Sequence, residues 1–413
     1  MSPLRRRAAI LAAATALAAL VPAHALAAPS PSPSATVNPA MYGQGDPTYD
    51  GVWRQSFALL ALDTVGVKPA ESAVKWLVGQ ECADGGWMAF RPDTAKACDP
   101  KAKDTNATAA AVMALAALGG HGPQIDRAVE WLGKVQNKDG GWPYNPGAPS
   151  DANSTALVAN ALVAAGRKPA SMAKDGRTPL DALASLQLGC DAPKGERGAF
   201  AYQPDKKGKL YANDSATAAA VLAAFGKSLP VQAPAKDAGA PKAPACAGDA
   251  KTVARQESAE AGAAYLAARL EAGDGHLDSP QQGAGPDFGT TAHAATALAA
   301  GGHLTPARKA VAWLQKESAG WSKGQPAALA DLILASTATG GDPRDFGGAD
   351  LVRQLVNLGP KPASLGDAAK GGQAEQAAEK DGKGGLSPWY TIAIGLLIGI
   401  GGGWLISMRK KQG

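Results

Sequence analysis

Residues 136–162 read QNKDGGWPYNPGAPSDANSTALVANAL. The stretch closes one helix at Gln136, breaks at Gly140-Gly141 and sets Trp142 at the head of a Pro- and Gly-rich loop. It re-enters helix through Asp151-Ala-Asn-Ser-Thr155, a run of capping residues ahead of an apolar segment. The same pattern recurs. Gln80–Trp87 reads QECADGGW and leads to DTNATAAAVMAL at 104–115, and Gln315–Trp321 reads QKESAGW. Self-similarity at this spacing marks a repeat architecture and decides the fold before any single residue is weighed.

Working outward, twelve helical segments alternate in character. Those over 53–63, 107–118, 154–165, 214–225, 290–300 and 326–338 are Ala-rich and almost without charge. Those over 69–80, 124–136, 179–187, 256–271, 306–316 and 348–357 carry charges on one side and apolar residues on the other. In the second of these, Ile125, Val129 and Leu132 share a stripe while Asp126, Arg127 and Glu130 face water. A helix that is apolar all round must be buried on every side, and one with a single stripe must cover something. Six of each in alternation predict an all-α fold: an (α/α)6 toroid of six helical hairpins, with the Ala-rich set inside and the amphipathic set outside. The Gly-Gly-Trp loops turn the chain between the rings, the glycines through positive φ and the Trp as a plug.

The ends read differently. Residues 1–27 carry Arg5-Arg6-Arg7, an Ala/Leu-rich run and Ala25-Leu26-Ala27, a signal peptide with its cleavage site. The general secretory route is expected, with a twin-arginine route as the alternative. A Pro/Ser linker follows over 28–48, and the toroid is expected over 49–358. An insert over 228–255, rich in Pro and Ala from Ser228 to Lys251, is expected to loop out. After a polar tether at 359–388, residues 389–408 have the roughly 20 apolar residues of a transmembrane helix. Arg409-Lys410-Lys411 in the 409–413 tail would keep the C-terminus cytoplasmic and place the body outside the cell membrane. The excess of 41 Lys+Arg over 36 Asp+Glu is small, and no basic stripe with aromatics appears, so nucleic acid is not expected as a partner.

An even set of four cysteines, Cys82, Cys98, Cys190 and Cys246, in an exported chain points to two disulfides. Of the three pairings open to four cysteines, Cys82 with Cys98 would bracket the first Gly-Gly-Trp loop, and Cys190 with Cys246 would clip the insert. With no C-x-x-C present, a metal site is not expected.

Gln136-Asn-Lys-Asp-Gly140-Gly-Trp142 resembles the Q-x3-G-x-W repeat of the squalene cyclase/protein prenyltransferase superfamily. Gln80–Trp87 matches with one extra residue, and Gln315–Trp321 matches with Ala319 for the first glycine. The 187–200 stretch is a lengthened copy with Phe200 for Trp, and 269–277 is a decayed one. The resemblance spans the body and implies an α/α toroid with a ligand cavity at one mouth of its inner ring.

The first turns of the inner helices carry a recurring polar set: Asp104, Asn106 and Thr108; Asp151, Asn153 and Thr155; Asn213, Ser215 and Thr217; Asp287 and Thr291. Inner helices of such a ring start at one end, so these residues are expected to rim one mouth. The plain alternative is that the first of each set is an N-cap. His293 follows an inner-helix start, whereas His121, His276 and His303 sit in turns. Cyclases of the resembling family protonate an alkene through D-x-D-D, and here Asp104-Thr-Asn106-Ala puts an amide where the acid is needed. The family's prenyltransferases hold zinc with Asp, Cys and His, a set not matched here, so the reading leans away from an enzyme. The Asp151-Ala-Asn-Ser-Thr155-Ala-Leu pattern is most similar to the cobalamin carriers transcobalamin and intrinsic factor, which implies a corrinoid or similar amphiphile as ligand. Those carriers close over their ligand with a second, β-rich domain that this sequence lacks. A membrane-anchored toroid capturing such a ligand for uptake, with a transporter or lid-supplying partner, is the expectation. A surface scaffold for protein contacts and a terpenoid cyclase- or prenyltransferase-like enzyme are the alternatives, with carbohydrate processing by an unrelated toroid behind them.

Overall fold

All twelve segments fold as helices, and their contacts close into a ring. The computed structural model describes residues 38–246, 252–281 and 283–365. The segments expected as signal peptide, transmembrane helix and basic tail, the first part of the linker and most of the tether therefore lie outside the described residues. Among the described residues, no helix is long and apolar enough to cross a membrane.

The inner helices are α1 (Gly51–Thr64), α3 (Thr105–Leu118), α5 (Ala152–Ala164), α7 (Asp214–Ala224), α9 (Phe288–Ala300) and α12 (Pro326–Ala338). The outer ones are α2 (Glu71–Gly79), α4 (Gly122–Val135), α6 (Pro179–Ser185), α8 (Ser258–Ala272), α10 (Leu304–Glu317) and α13 (Leu351–Val356), and a single turn, α11 (Ala319–Ser322), precedes α12. α1 packs on α3, α3 on α5, α5 on α7, α7 on α9 and α9 on α12, and α12 returns to α1. Each inner helix also packs on the outer helix that follows it. Burial separates the two sets as their composition demands: Ala107 to Leu115 of α3 are buried without interruption, whereas α4 buries only Ala128, Trp131 and Leu132. Small Ala side chains let inner neighbours approach closely, which is what closes the ring.

The connections from outer to inner helices repeat one arrangement. The Trp87 indole N–H donates to Leu77 O at 3.0 Å and that of Trp142 to Leu132 O at 2.8 Å, so each ring is fully buried and bonded to the end of its own outer helix. Gly140 sits at φ 86°, and a Cβ there would lie 2.4 Å from Thr178 O of the next hairpin. Phe200 and Leu277 occupy the Trp position of the lengthened and decayed copies and are also buried. The last copy departs from expectation. Ala319 takes the place of a left-handed glycine, Ser318–Ser322 continue as helix, and half-buried Trp321 stacks on Phe288 at 5.7 Å instead of plugging a helix pair.

Disulfides join Cys82 to Cys98 and Cys190 to Cys246. The insert, expected to loop out, is docked over its described part. Asp237 accepts from Leu304 N–H and Thr305 N–H, both at 3.1 Å, and so caps α10, whose own N-cap side chain supplies no bond. Ala238 N–H donates to Gly302 O at 2.8 Å, and Val231 is buried. The free N–H groups of an uncapped helix are what hold this Pro-rich segment down.

Candidate ligand-binding bowl

The six inner helices begin at one end of the ring. In three of the five copies the residue two beyond the Trp position accepts from the first turn of the preceding inner helix: Ala89 O from Val52 N–H, Tyr144 O from Thr105 N–H and Tyr202 O from Ala152 N–H, at 2.9 to 3.0 Å.

At that end the expected polar set separates into three roles. Asp104, Asp151, Asn213 and Asp287 are N-caps: Asp104 accepts from Asn106 and Ala107 N–H, Asp151 from Ser154, Asn213 from Ala216 and Asp287 from Thr290. The plain alternative therefore describes the first position. The four threonines do not rim a mouth. The hydroxyls of Thr108, Thr155, Thr217 and Thr291 accept the backbone N–H of Trp87, Trp142, Phe200 and Leu277 at 2.9 to 3.0 Å, and all four residues are fully buried. The reason is angular: two helical residues apart is about 200°, so a Thr two beyond an inward-facing Asn must point outward to the loop. On α1 the same latch is made by Gln55, whose Oε1 accepts from Tyr42 N–H at 2.9 Å.

Residues on the inward face, counted from these latches, form two layers. The upper one is Trp53, Asn106, Asn153, Ser215, Gly289 and Ala327, all partly accessible. One turn deeper, Leu157, Ala219, His293 and Asp331 remain accessible, whereas Phe57 and Ala110 are buried. Two bonds between adjacent helices confirm the register: Asn153 Nδ2 donates to Ser215 Oγ at 3.2 Å, and His293 Nε2 lies 3.3 Å from Asp331 Oδ1. One turn deeper again, Leu60, Met113, Asn160, Leu222, Thr296 and Leu334 are all buried and form a floor. The central space is thus a bowl roughly 10 Å deep, the rise of seven helical residues, and not a channel.

Electrostatics divide the bowl. Protein surrounds His293, yet 44% of its side chain is accessible, so it faces open space inside the ring. Burial opposes charging it, but the carboxylates of Asp331 and Asp287 outweigh that and raise its pKa. Burial pushes the Asp104 carboxyl up to about 6, against bonds from Ala107 N–H, the Tyr144 hydroxyl and Asn106 N–H. Asp151 is raised by burial in the same way, and beside it the Tyr202 phenol is pushed up to about 12, by burial first and then by the Asp151 charge. Tyr144 and Tyr202 each sit two beyond a buried aromatic and reach back to the cap of the preceding hairpin. That W-x-Y and F-x-Y spacing was visible in the sequence. Asp331, missed there, is the only acid in the PAALADLILASTA segment, and Trp53 stacks on Phe57 at 4.5 Å to give the α1 wall an aromatic surface.

Two clefts lie elsewhere. One of 270 Å³ is lined by Val129, Gln136, Arg167 and Met172, and one of 490 Å³ by Asn137, Ser150, Leu186 and Pro204. Both sit among the outer helices and loops of the second and third hairpins, away from the inner-face residues, and in the second the polar groups of Asn137, Ser150 and Asp139 are bonded to one another. Among the described residues there is no cluster of His, Cys, Asp and Glu able to hold a metal ion.

No family model and no curated protein matches the sequence. Among solved structures, the chain is similar to a protein from Actinoplanes at 17% identity, covering 70% of this chain and 90% of that one with a TM-score of 0.44. It is also similar to the type II terpene cyclase MstE from Scytonema, at 19% identity over 70% and 77% of the two chains with a TM-score of 0.41. A sugar epimerase from a ruminal bacterium gives 12% identity over 78% and 81%, with a TM-score of 0.38. These are likenesses of fold at low identity and carry nothing about chemistry. They lend no support to the cobalamin-carrier side of the resemblance.

Proposed function

We propose that this terpenoid-cyclase-like toroid is a binding protein that takes the edge or head of a rigid amphiphile into its mouth. The supporting observation is the depth of the bowl: two accessible layers above a sealed floor. A carbocation cascade needs a pocket that encloses its substrate and excludes water. A bowl roughly 10 Å deep admits one end of a polycyclic molecule but cannot enclose a long isoprenoid. The cap carboxylates are engaged with their own helices, and the remaining inward groups, Asn106, Asn153, Ser215 and the His293–Asp331 pair, are ones that orient a ligand by hydrogen bonding.

The corrinoid suggested by the sequence is one probe for this reading. Full-length protein retaining cyanocobalamin's visible absorbance through gel filtration would support it, and colourless protein from excess ligand would remove corrinoids from the class. A second reading, a cyclase-like enzyme, is favoured by the accessible His293–Asp331 pair. Incubation with geranylgeranyl dihydroxybenzoate, the substrate bound by a Scytonema cyclase variant, should then give a cyclised product that is lost in Asp331→Asn. Unchanged starting material refutes that reading.

We further propose that residues 389–408 anchor the body outside a membrane. Lys68 N–H donates to Ser364 O and Ala363 N–H to Lys68 O, each at 2.9 Å, which fixes the last described residues to the α1–α2 connection at the end of the ring opposite the bowl. A tether leaving there would present the mouth to the medium. Deleting 389–413 should move the protein from the membrane fraction to the supernatant, and persistence at the membrane would overturn the anchor.

A further inference from the structure

Helix α5 carries two inward-facing amide side chains, one more than α3 with its Asn106. Asn153 in its first turn and Asn160 two turns on lie seven residues apart, with Leu157 between them on the same inward face. Asn153 Nδ2 is bonded to Ser215, but its Oδ1 is buried and accepts no bond; Asn160 Oδ1 is likewise buried without a donor. Asn160 is 3% exposed and stands in the floor layer, one turn below the accessible Leu157. A buried amide oxygen without a donor is destabilising, and a core site next to Ala and Leu would be better filled by Leu.

We propose that Asn153 and Asn160 are the specificity-determining residues of the bowl. They form a strip of acceptors about 10 Å long that selects ligands with hydrogen-bond donors along one edge and apolar faces to either side of it, toward Trp53 and toward Ala219. This rests on the binding function proposed above and narrows its ligand class. The wall facing α5 across the six-helix ring is α12 with Asp331, so the ligand is bracketed by acceptors on one side and by the His293–Asp331 pair on the other.

The test uses a matched pair of probes on the full chain: cholate, with three hydroxyls on one face of an apolar polycycle, and 5β-cholanate, the same skeleton without them. Equilibrium dialysis below micellar concentrations should show wild type preferring cholate by roughly tenfold per hydrogen bond made. Asn160→Leu and Asn153→Leu should each remove about one such factor, and both together should abolish the preference. Thermal melting without probe supplies the independent arm. Asn160→Leu should leave the melting temperature unchanged or raise it, because it removes a group without a partner. A lowered melting temperature makes Asn160 a structural residue and overturns the inference. Equal binding of both probes by wild type, or a preference that survives the double variant, overturns it while leaving the binding function in place. Binding of neither probe overturns the ligand class and the inference together.

Discussion

Two loops that carry the same Q-x3-G/A-G-W pattern behave in opposite ways. Lys138-Asp-Gly-Gly-Trp142 makes a left-handed turn at Gly140, buries Trp142 and ties its N–H to Thr155. Glu317-Ser-Ala-Gly-Trp321 stays helical and leaves Trp321 half-buried in a stack that runs through Phe288 and Trp313 to His276, with centroids 4.6 to 5.7 Å apart. The difference begins at one position. Where glycine is present the chain can adopt φ 86° and lie against the backbone of the next hairpin; where alanine replaces it, that conformation is strained and the helix continues. The inner helix that follows has adjusted: Leu329 stands at the position of Thr155 and is fully buried, with no loop amide to receive. A repeat is therefore a coupled set of Gly, Trp and Thr, and the last hairpin has lost all three functions together.

The largest test of this contrast is removal of the aromatic ring. Trp142→Ala should cost about 3–5 kcal/mol, as expected for a large side chain deleted from a packed core. Trp321→Ala should cost about 1–2 kcal/mol, because the ring is partly in water already. Chemical denaturation of both variants measures the difference, and equal losses would show that the last copy is plugged after all. Next comes the glycine. Gly140→Ala forces a Cβ to within 2.4 Å of Thr178 O at a positive φ, so the hairpins must separate; we expect a loss of about 2–4 kcal/mol. The reverse change, Ala319→Gly, should cost no more than about 1 kcal/mol, the helix propensity of glycine.

The caps differ as well, and pH reveals it. Asp104 is buried with a folded pKa of about 6, while Gln325 at the start of α12 cannot titrate. An unfolded Asp titrates near 3.9, so between pH ~4 and ~6 the folded chain holds a proton that the unfolded chain has released. This group's contribution to stability therefore falls as pH rises through that window, by up to about 3 kcal/mol. Asp104→Asn keeps a cap oxygen and removes the titration. Its denaturation midpoint should gain on wild type from pH 4.5 to pH 7, and parallel curves would place the Asp104 carboxyl in water. His293 has the same sign, in a higher window. Its raised pKa stabilises the fold below the ordinary histidine value, and that contribution is lost as pH climbs through the folded value.

The ring was legible because its signal is redundant. Charge-free Ala runs alternating with amphipathic segments fix which helices are inside, and no single residue can spoil that reading. The bowl was legible only in part. Asp104, Asp151, Asn213 and Asp287 look alike as caps and as rim, and the structure resolves them as caps. Asn106, Asn153 and Ser215 were found because a polar residue two beyond a cap has no reason to be there unless it faces space. Asp331 and Asn160 were not found, since neither sits in the repeated first turn; each is recognisable only once the register of all six helices is known. Trp321 was misread because the motif was matched as letters, when its physical content is one backbone angle.

The narrowest test isolates the latch. Thr155→Val preserves shape and removes the oxygen that accepts Trp142 N–H at 3.0 Å, leaving a buried donor without a partner. The cost should be about 1–3 kcal/mol, and the buried N–H should lose hydrogen-exchange protection selectively at Trp142. The converse change, Leu329→Thr, places a hydroxyl where no loop amide awaits it and should destabilise by a similar amount through packing and desolvation. Combining Leu329→Thr with Ala319→Gly asks whether the lost repeat can be rebuilt. If the coupling is real, the pair should be less damaging than the sum of its parts, because the glycine lets the loop turn and present Trp321 N–H to the new hydroxyl. Strict additivity would mean that glycine alone does not set the loop, and that the Pro- and Gly-rich segment following Trp142, which the last hairpin also lacks, is part of what makes the turn.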